Sequence, residues 1–133
     1  MPRNLVVDLI MKLRFLLWML AILLKRAAKR PGKFREALAG KDATIQFETA
    51  NHRVSRFYRF FEQKTKSRGK NLTQPDLNIQ FVSAKAGFNI LWAMATGKDK
   101  NAFMKAIQDK QVTVEGDLGL LMWFQSHLKY ALR

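Results

Sequence analysis

P-D-L-N-I-Q-F-V-S-A-K-A-G-F-N-I-L-W-A-M-A-T-G, residues 75–97, changes period in its middle. From Leu77 to Val82 apolar and polar side chains alternate, with Leu77, Ile79 and Phe81 on one face and Asn78 and Gln80 on the other. Such alternation is the pattern of a strand buried on one side. From Ser83 the period becomes helical. Ser83 is a candidate N-cap, Phe88, Leu91, Trp92 and Ala95 recur at i, i+3, i+4 and i+7, and Gly97 is a natural stop.

The same two patterns extend outward from this stretch. Upstream, Ala43 to Glu48 alternates as a half-buried strand, Asn51-His52 is a turn, and Val54 to Phe61 reads as a second, aromatic strand. Thr65 to Leu72 is polar, either a third, exposed strand or a loop around Gly69, and Pro75-Asp76 breaks the chain. Downstream, Asp99 is placed to cap a helix with Phe103, Met104 and Ile107 inward. Val112 to Glu115 is a short strand. Gly116-Asp117 then turns into a last helix, capped by Asp117, with Leu120, Leu121, Phe124, Leu128 and Ala131 on one face. Strands, helices, strand, helix is the order of an α+β fold, a mainly antiparallel sheet covered by helices on one face.

The N-terminal third is different in kind. Phe15 to Leu24 (F-L-L-W-M-L-A-I-L-L) holds no polar side chain, and Lys25, Arg26, Lys29, Arg30 and Lys33 follow closely. A helix that is apolar all round needs lipid, a partner or a deep core to cover it. The pure run falls short of the roughly 20 residues a spanning helix requires, although the helix could still span if Lys12 and Arg14 snorkel outward. Asp8, Lys12 and Arg26 share one helical face, so a helix lying in the membrane plane is expected, with Leu16, Leu17, Trp18, Leu20, Ile22 and Leu23 as its apolar contacts. Lys25, Arg26, Lys29 and Arg30 would then meet anionic headgroups. K-R-A-A-K-R is a poor cleavage region, so the helix is expected to be retained. Pro31-Gly32 ends it. The expected division is therefore residues 1–33, a membrane- or partner-binding helix, and residues 34–133, a globular domain.

Charge points the same way. The 133 residues carry a net charge of +14, and residues 1–70 hold 17 Lys and Arg against 5 Asp and Glu, a balance of +12. A basic half of this kind calls for an anionic partner. Hydrophobic residues are 48% of the chain, enough for a core, and the absence of cysteine excludes disulfides and thiolate chemistry.

The segment Pro75-Asp76, L-N-I-Q-F-V-S, a helix ending Ala95-Thr96-Gly97-Lys98, then F-M-K-A-I-Q-D-K-Q-V-T-V-E-G-D-L-G-L-L-M resembles the sterol-carrier-protein-type lipid-binding domain, which can be laid along residues 43–132. The resemblance implies a five-stranded sheet with helices over a hydrophobic cavity, a tunnel that holds one acyl or isoprenoid lipid. Some bacterial accessory proteins of ubiquinone biosynthesis carry this domain behind a hydrophobic N-terminal segment, and this chain is similar in layout.

No catalytic pattern appears. His52 and His127 lack an acid partner or metal spacing in the sequence, and no G-x-S-x-G, P-loop or H-E-x-x-H motif occurs. Asp117, beside Glu115, reads as a helix cap. No enzyme activity, cofactor or metal is expected. Phe81, Phe88, Leu91, Trp92, Phe103, Met104, Ile107, Leu121, Met122 and Phe124 are the candidates to line a lipid cavity, although ordinary core packing explains the same spacing. The expected function is a lipid carrier for an acyl or isoprenoid lipid, a quinone precursor or a phospholipid among them. It would be cytoplasmic and peripherally attached to the inner face of the membrane. Its first helix leaves room for a homodimer or a protein partner. Two alternatives follow from other features. Arg53, Arg56 and Arg59 interleave with Phe57, Tyr58, Phe60 and Phe61, which suits single-stranded nucleic acid, but neither face of that strand is a clean stacking platform, and this reading ranks second. The other is an interaction subunit of a membrane-associated complex.

Overall fold

Every alternating segment forms a strand, and every periodic one a helix. A computed structural model describes residues 2–72, 74–98 and 101–131, with side chains from residue 7 onward. In chain order the elements are α1 (Pro2–Lys29), α2 (Lys33–Ala37), β1 (Ala43–Thr49), β2 (Ser55–Phe61), β3 (Lys64–Arg68), β4 (Leu77–Phe81), α3 (Ala84–Ala95), α4 (Ala102–Gln108), β5 (Val112–Gly116) and α5 (Leu118–Ala131). The polar stretch after Thr65 is thus a strand for its first part only.

The five strands make one sheet in the order β3-β2-β1-β4-β5. It is mainly antiparallel but mixed, because β4 runs parallel to β1, with Ile45 opposite Leu77 and Phe47 opposite Ile79. Alternation fixes which side chains face the core but not which strand is the neighbour. Between the edge strand β3 and β4 the chain returns to the far side of β1, and Leu72 lies against the outer sheet face. The crossing is hydrogen-bonded through the Gln46 side chain, whose Oε1 accepts from the Leu72 N–H at 2.6 Å. Two short motifs then meet. The Asp117 N–H donates to the Asp76 carbonyl at 2.9 Å, and the Asp76 carboxylate accepts from the Thr44 N–H at 2.7 Å. Gly116, at φ 115°, lies so close to the Asp76 carbonyl that a Cβ could not fit.

Both caps expected in the described segments are present. The Ala86 N–H donates to Ser83 Oγ, and the Leu120 N–H donates to Asp117 Oδ1, each at 3.1 Å. The Asp99 cap lies outside the described residues. In α5 the five residues expected inward are all buried. In α3 the inward face is rotated from the expected one: Leu91 is buried as expected, but Gly87 and Ile90 join it in place of Phe88 and Ala95, which are half-buried, and Trp92, which is exposed. Glycine is the reason. A Cβ on Gly87 would sit 2.8 Å from the Phe81 ring and 3.1 Å from Leu13, so α3 lies directly on the sheet at this residue and its aromatics turn away.

The first helix is part of this packing. Leu13, Leu17, Leu20, Ala21, Leu24, Ala27 and Ala28 are buried, in one core cluster with Phe47, Tyr58, Phe81 and Phe124. The Tyr58 hydroxyl donates to the Leu17 carbonyl at 2.6 Å, and Thr65 Oγ1 donates to the Leu24 carbonyl at 3.5 Å. Burial pushes the Tyr58 phenol far above its ordinary range, against the charge of Arg56, so it remains a neutral donor. The boundary expected at residue 33 therefore does not separate two packing units. The core runs through it.

Candidate functional site

A helix with apolar residues on every side cannot bury all of them against one sheet. Having spent its leucine face on β2 and β3, α1 presents Val7, Met11, Phe15, Trp18 and Met19 on the other side, and all five are exposed. Met11, Phe15 and Met19 are spaced i, i+4, i+8, one stripe of the helix. Beside the stripe stand Phe88 and Trp92 of α3, one turn apart, their rings stacked at 5.8 Å and 10°. Between the two helices lies an open groove of about 550 Å3, lined by Met11, Lys12, Phe15, Leu16, Met19, Phe88 and Trp92. Lys12 alone is polar, and its ammonium sits 3.5 Å from Asp8 on the exposed helix surface. Trp92 is 49% exposed and Phe15 58%. An exposed apolar surface of this extent, rimmed by charge, is of the kind that takes a ligand, a membrane or a protein partner, and it is the candidate site.

The residues expected to line a closed cavity divide into three groups. Phe88 and Trp92 line the groove. Phe81, Leu91, Phe103, Leu121 and Phe124 are buried in the core, where Phe47 lies 6.1 Å from Phe81 and 5.8 Å from Phe124, and Phe81 lies 6.5 Å from Phe103. Ile107 is half-buried against this cluster. Met104 and Met122, expected inward, are exposed on α4 and α5, because each sits on the solvent side of a helix whose neighbouring residue, Phe103 or Leu121, takes the inward position. Leu13 and Leu17 of α1 pack in the same cluster.

The expected membrane residues divide as well. Trp18 is exposed, Leu16 lines the groove, and Ile22 and Leu23 are half-buried. Leu17 and Leu20, expected at the membrane, are covered by the rest of the fold, since they share the helix face of Leu13 and Leu24. Lys25, Arg26, Lys29 and Arg30 are exposed at the C-terminal end of α1. No helix among the described residues is long and apolar enough to cross a membrane.

The outer sheet face is polar. Glu48, 5% exposed, accepts hydrogen bonds from Asn71 and Asn78 at 2.7 Å and from Gln80 at 3.3 Å, and pairs with His52 Nδ1 at 2.9 Å. Burial raises this carboxyl, but the bonds from Asn78, Asn71 and His52, with the charge of His52, together outweigh it and hold it below its ordinary value. His52 thus has an acid partner, Glu48 of β1, four residues back in the chain and brought beside it by the β1–β2 turn. Among the described residues no group of His, Asp or Glu is placed to hold a metal. The aromatic residues between the arginines are not a stacking surface. Tyr58 and Phe60 face the core, fully buried, Phe57 is buried on the other face, and Arg59 covers Phe61 with its guanidinium 4.9 Å from the ring centroid.

A five-stranded mixed sheet in this order, helices packed on one face and an apolar site at the helix layer, define the sterol-carrier-protein-2 fold. Three solved structures carry the likeness. The UbiJ-SCP2 ubiquinone synthesis protein superposes with a TM-score of 0.62 at 16% identity, covering 82% of this chain and 84% of that one. Sterol carrier protein domain 2 of Helicoverpa armigera gives 0.59 at 16%, covering 84% of each chain. Sterol carrier protein 2 of Yarrowia lipolytica, in its apo form, gives 0.58 at 12%, covering 85% of this chain and 89% of that one. At such identities the likeness is one of fold. No protein-family model and no curated protein sequence matches the chain.

Proposed function

We propose that this protein is a non-catalytic lipid carrier that takes the acyl or isoprenoid chain of a lipid into the groove between α1 and α3 and rests on an anionic membrane. The groove carries the reading. Its volume of about 550 Å3 lies within the usual span of roughly 300–1,000 Å3 for ligand sites, and its lining is aromatic, aliphatic and thioether. Methionines adapt to irregular chains, and Met11 and Met19 stand at its edge. The exposed stripe of Val7, Met11, Phe15 and Trp18 continues from it, so a lipid could pass between groove and bilayer without crossing water. Lys25, Arg26, Lys29 and Arg30 would add roughly 1 kcal/mol each near an anionic surface. The attachment is to the cytoplasmic face of a membrane. The likeness to a ubiquinone synthesis protein makes a polyprenyl quinone precursor the first isoprenoid to test.

The test combines native mass spectrometry after lipid extraction with titration of quinone and fatty-acyl probes. Binding is expected in the micromolar range or tighter, about −8 kcal/mol. Phe15→Ser and Trp92→Ser should each weaken it by about tenfold or more, a loss near 1.4 kcal/mol, with little change in melting temperature. Met122→Ser, equally exposed but outside the groove, should not. Equal binding by all three variants would refute the site, and no binding of any apolar chain would refute the function.

A further inference from the structure

On the opposite flank of α1 from the groove lies a second concavity of different chemistry. It holds about 360 Å3 between α1, the start of β2 and the end of β3. Arg14, Arg53 and Arg56 line it together with His52, and the buried Leu17 and Val54 are on its inner wall. Arg14 reaches it because it precedes Phe15 by one residue, about 100° round the helix. The other two arginines come from the β1–β2 connection and the start of β2.

The hydrogen bonds of these arginines go to neutral acceptors. Arg14 Nη2 donates to the Arg53 carbonyl at 2.7 Å, and Arg56 Nη1 donates to Ser67 Oγ at 3.1 Å. None of the three takes part in an ion pair among the described residues, where the pairs are Lys12 with Asp8, His52 with Glu48, and Arg59 with Asp42. The nearest acid in the network is Glu48, which lies behind His52. It is buried, and its oxygens already accept from Asn71, Asn78, Gln80 and His52. His52, with its Nδ1 bonded to that carboxylate, is also on the lining of the cleft. Arg14 and Arg56 bring guanidinium groups to this concavity, Arg53 stands on its lining, and cations gathered in this way repel each other unless an anion sits among them. Their planar forks match the oxygens of a phosphate, which accepts several N–H bonds at once.

We infer that the cleft of Arg14, Arg53 and Arg56 is a binding site for a phosphate group. The phosphate belongs either to a lipid headgroup or to a soluble phosphate compound. The lipid source rests on the lipid-carrier reading above, while the anion chemistry does not. The exposed stripe of Phe15 and Trp18 lies on α1 between the groove and the cleft. A bilayer resting on that stripe brings its headgroup phosphates level with the arginines.

The full-length protein is titrated with phosphatidylcholine vesicles, with the same vesicles doped with phosphatidate, and with inorganic phosphate as competitor. One variant is Arg14→Gln/Arg53→Gln/Arg56→Gln. A second, Arg14→Gln/Arg53→Gln, spares the Arg56 bond to Ser67 in case the first is unstable. The control, Lys64→Gln/Lys66→Gln/Arg68→Gln, removes the same charge from the outer sheet face. Both cleft variants should lose about tenfold or more of the phosphatidate-dependent affinity, and the control less than about threefold. Competition by inorganic phosphate identifies a soluble source, and its failure to compete identifies the headgroup. Equal losses in cleft and control variants would overturn the site, since net charge would then explain the binding. So would tight single-stranded RNA binding lost in the cleft variants while phosphatidate has no effect. An uncharged quinone probe separates the two proposals. If the cleft variants still bind it, the lipid reading stands whatever the fate of the cleft. If wild type does not bind it, the lipid reading fails while the inorganic phosphate arm still decides the cleft.

Discussion

Replacing Leu17 or Leu24 by alanine tests whether α1 is part of the fold. Leu17 is 1% exposed and Leu24 0%. Truncating a fully buried leucine costs about 2–5 kcal/mol, so a central value near 3 kcal/mol is expected for each. Alanine is at least as good a helix former as leucine, so none of this loss comes from helix propensity. The bond from the Tyr58 hydroxyl goes to the Leu17 main-chain carbonyl and survives the substitution, so the loss reports packing alone. The two sites are seven residues apart, about 10 Å along the axis, and their effects should nearly add. The double variant should then lose about 6 kcal/mol, comparable to the whole stability of a small domain at about 5–15 kcal/mol. It should be unfolded or nearly so. Phe15→Ala, on the exposed side of the same helix, should stay within about 0.5 kcal/mol of wild type. Urea unfolding followed by far-ultraviolet circular dichroism measures the four variants and the wild type. A cost below about 1 kcal/mol for Leu17→Ala, or an equal cost for Phe15→Ala, would show that α1 does not lie on the sheet.

Two further outcomes follow from the sheet. Glu48 has its carboxyl held below the ordinary value of 4.5, so its contribution is present above about pH 4.5 and is lost as pH falls through the lower folded value. The stability gap between wild type and Glu48→Gln should therefore narrow as pH falls below about 4.5, and a gap independent of pH would refute the assignment. Gly87→Ala places a Cβ 2.8 Å from the Phe81 ring and should cost about 1–3 kcal/mol by overpacking; a neutral or stabilising result in the same urea assay would mean that α3 stands off the sheet.

Much of the architecture was legible in short segments. The alternation at Ala43–Glu48 and Leu77–Val82, the caps at Ser83 and Asp117 and the inward face of α5 follow from side-chain period and terminal chemistry, which are local. What was not legible depends on partners far away in the chain. The parallel pairing of β1 with β4 is a choice of neighbour, which alternation leaves open. The rotation of α3 comes from Gly87, a residue that adds nothing to an apolar count and is nonetheless the one nearest the sheet. Apolar spacing alone would favour Phe88 and Trp92 for the inside. Their displacement to the surface forms one wall of the groove, so the same event that defeats the sequence reading of the helix creates the candidate site. The cleft arginines were visible at positions 53 and 56 as charges among aromatics, but Arg14 joins them only through the fold.

The placement of α1 also limits how the chain can meet a membrane. A spanning orientation would take the helix off the sheet. Its leucines would lose little, since lipid would cover them, but the residues beneath would be left to water. Tyr58, which is bonded to Leu17, and Phe81, which meets Leu13 around Gly87, are both fully buried. Exposing two such side chains costs about 3–6 kcal/mol at roughly 1.5–3 kcal/mol each, before the Tyr58 and Thr65 hydrogen bonds are counted. That is a large share of what holds a domain of this size together. Contact through the outer stripe has no such cost, because Val7, Met11, Phe15 and Trp18 are exposed in the folded protein already. Lys12 and Arg14 flank that stripe and Lys25, Arg26 and Lys29 follow it, all of them able to stay at the headgroup level while the apolar residues enter the acyl boundary. If the chain meets a membrane as proposed, the fold favours an in-plane helix, with one face fixed to the sheet and the other turned to lipid.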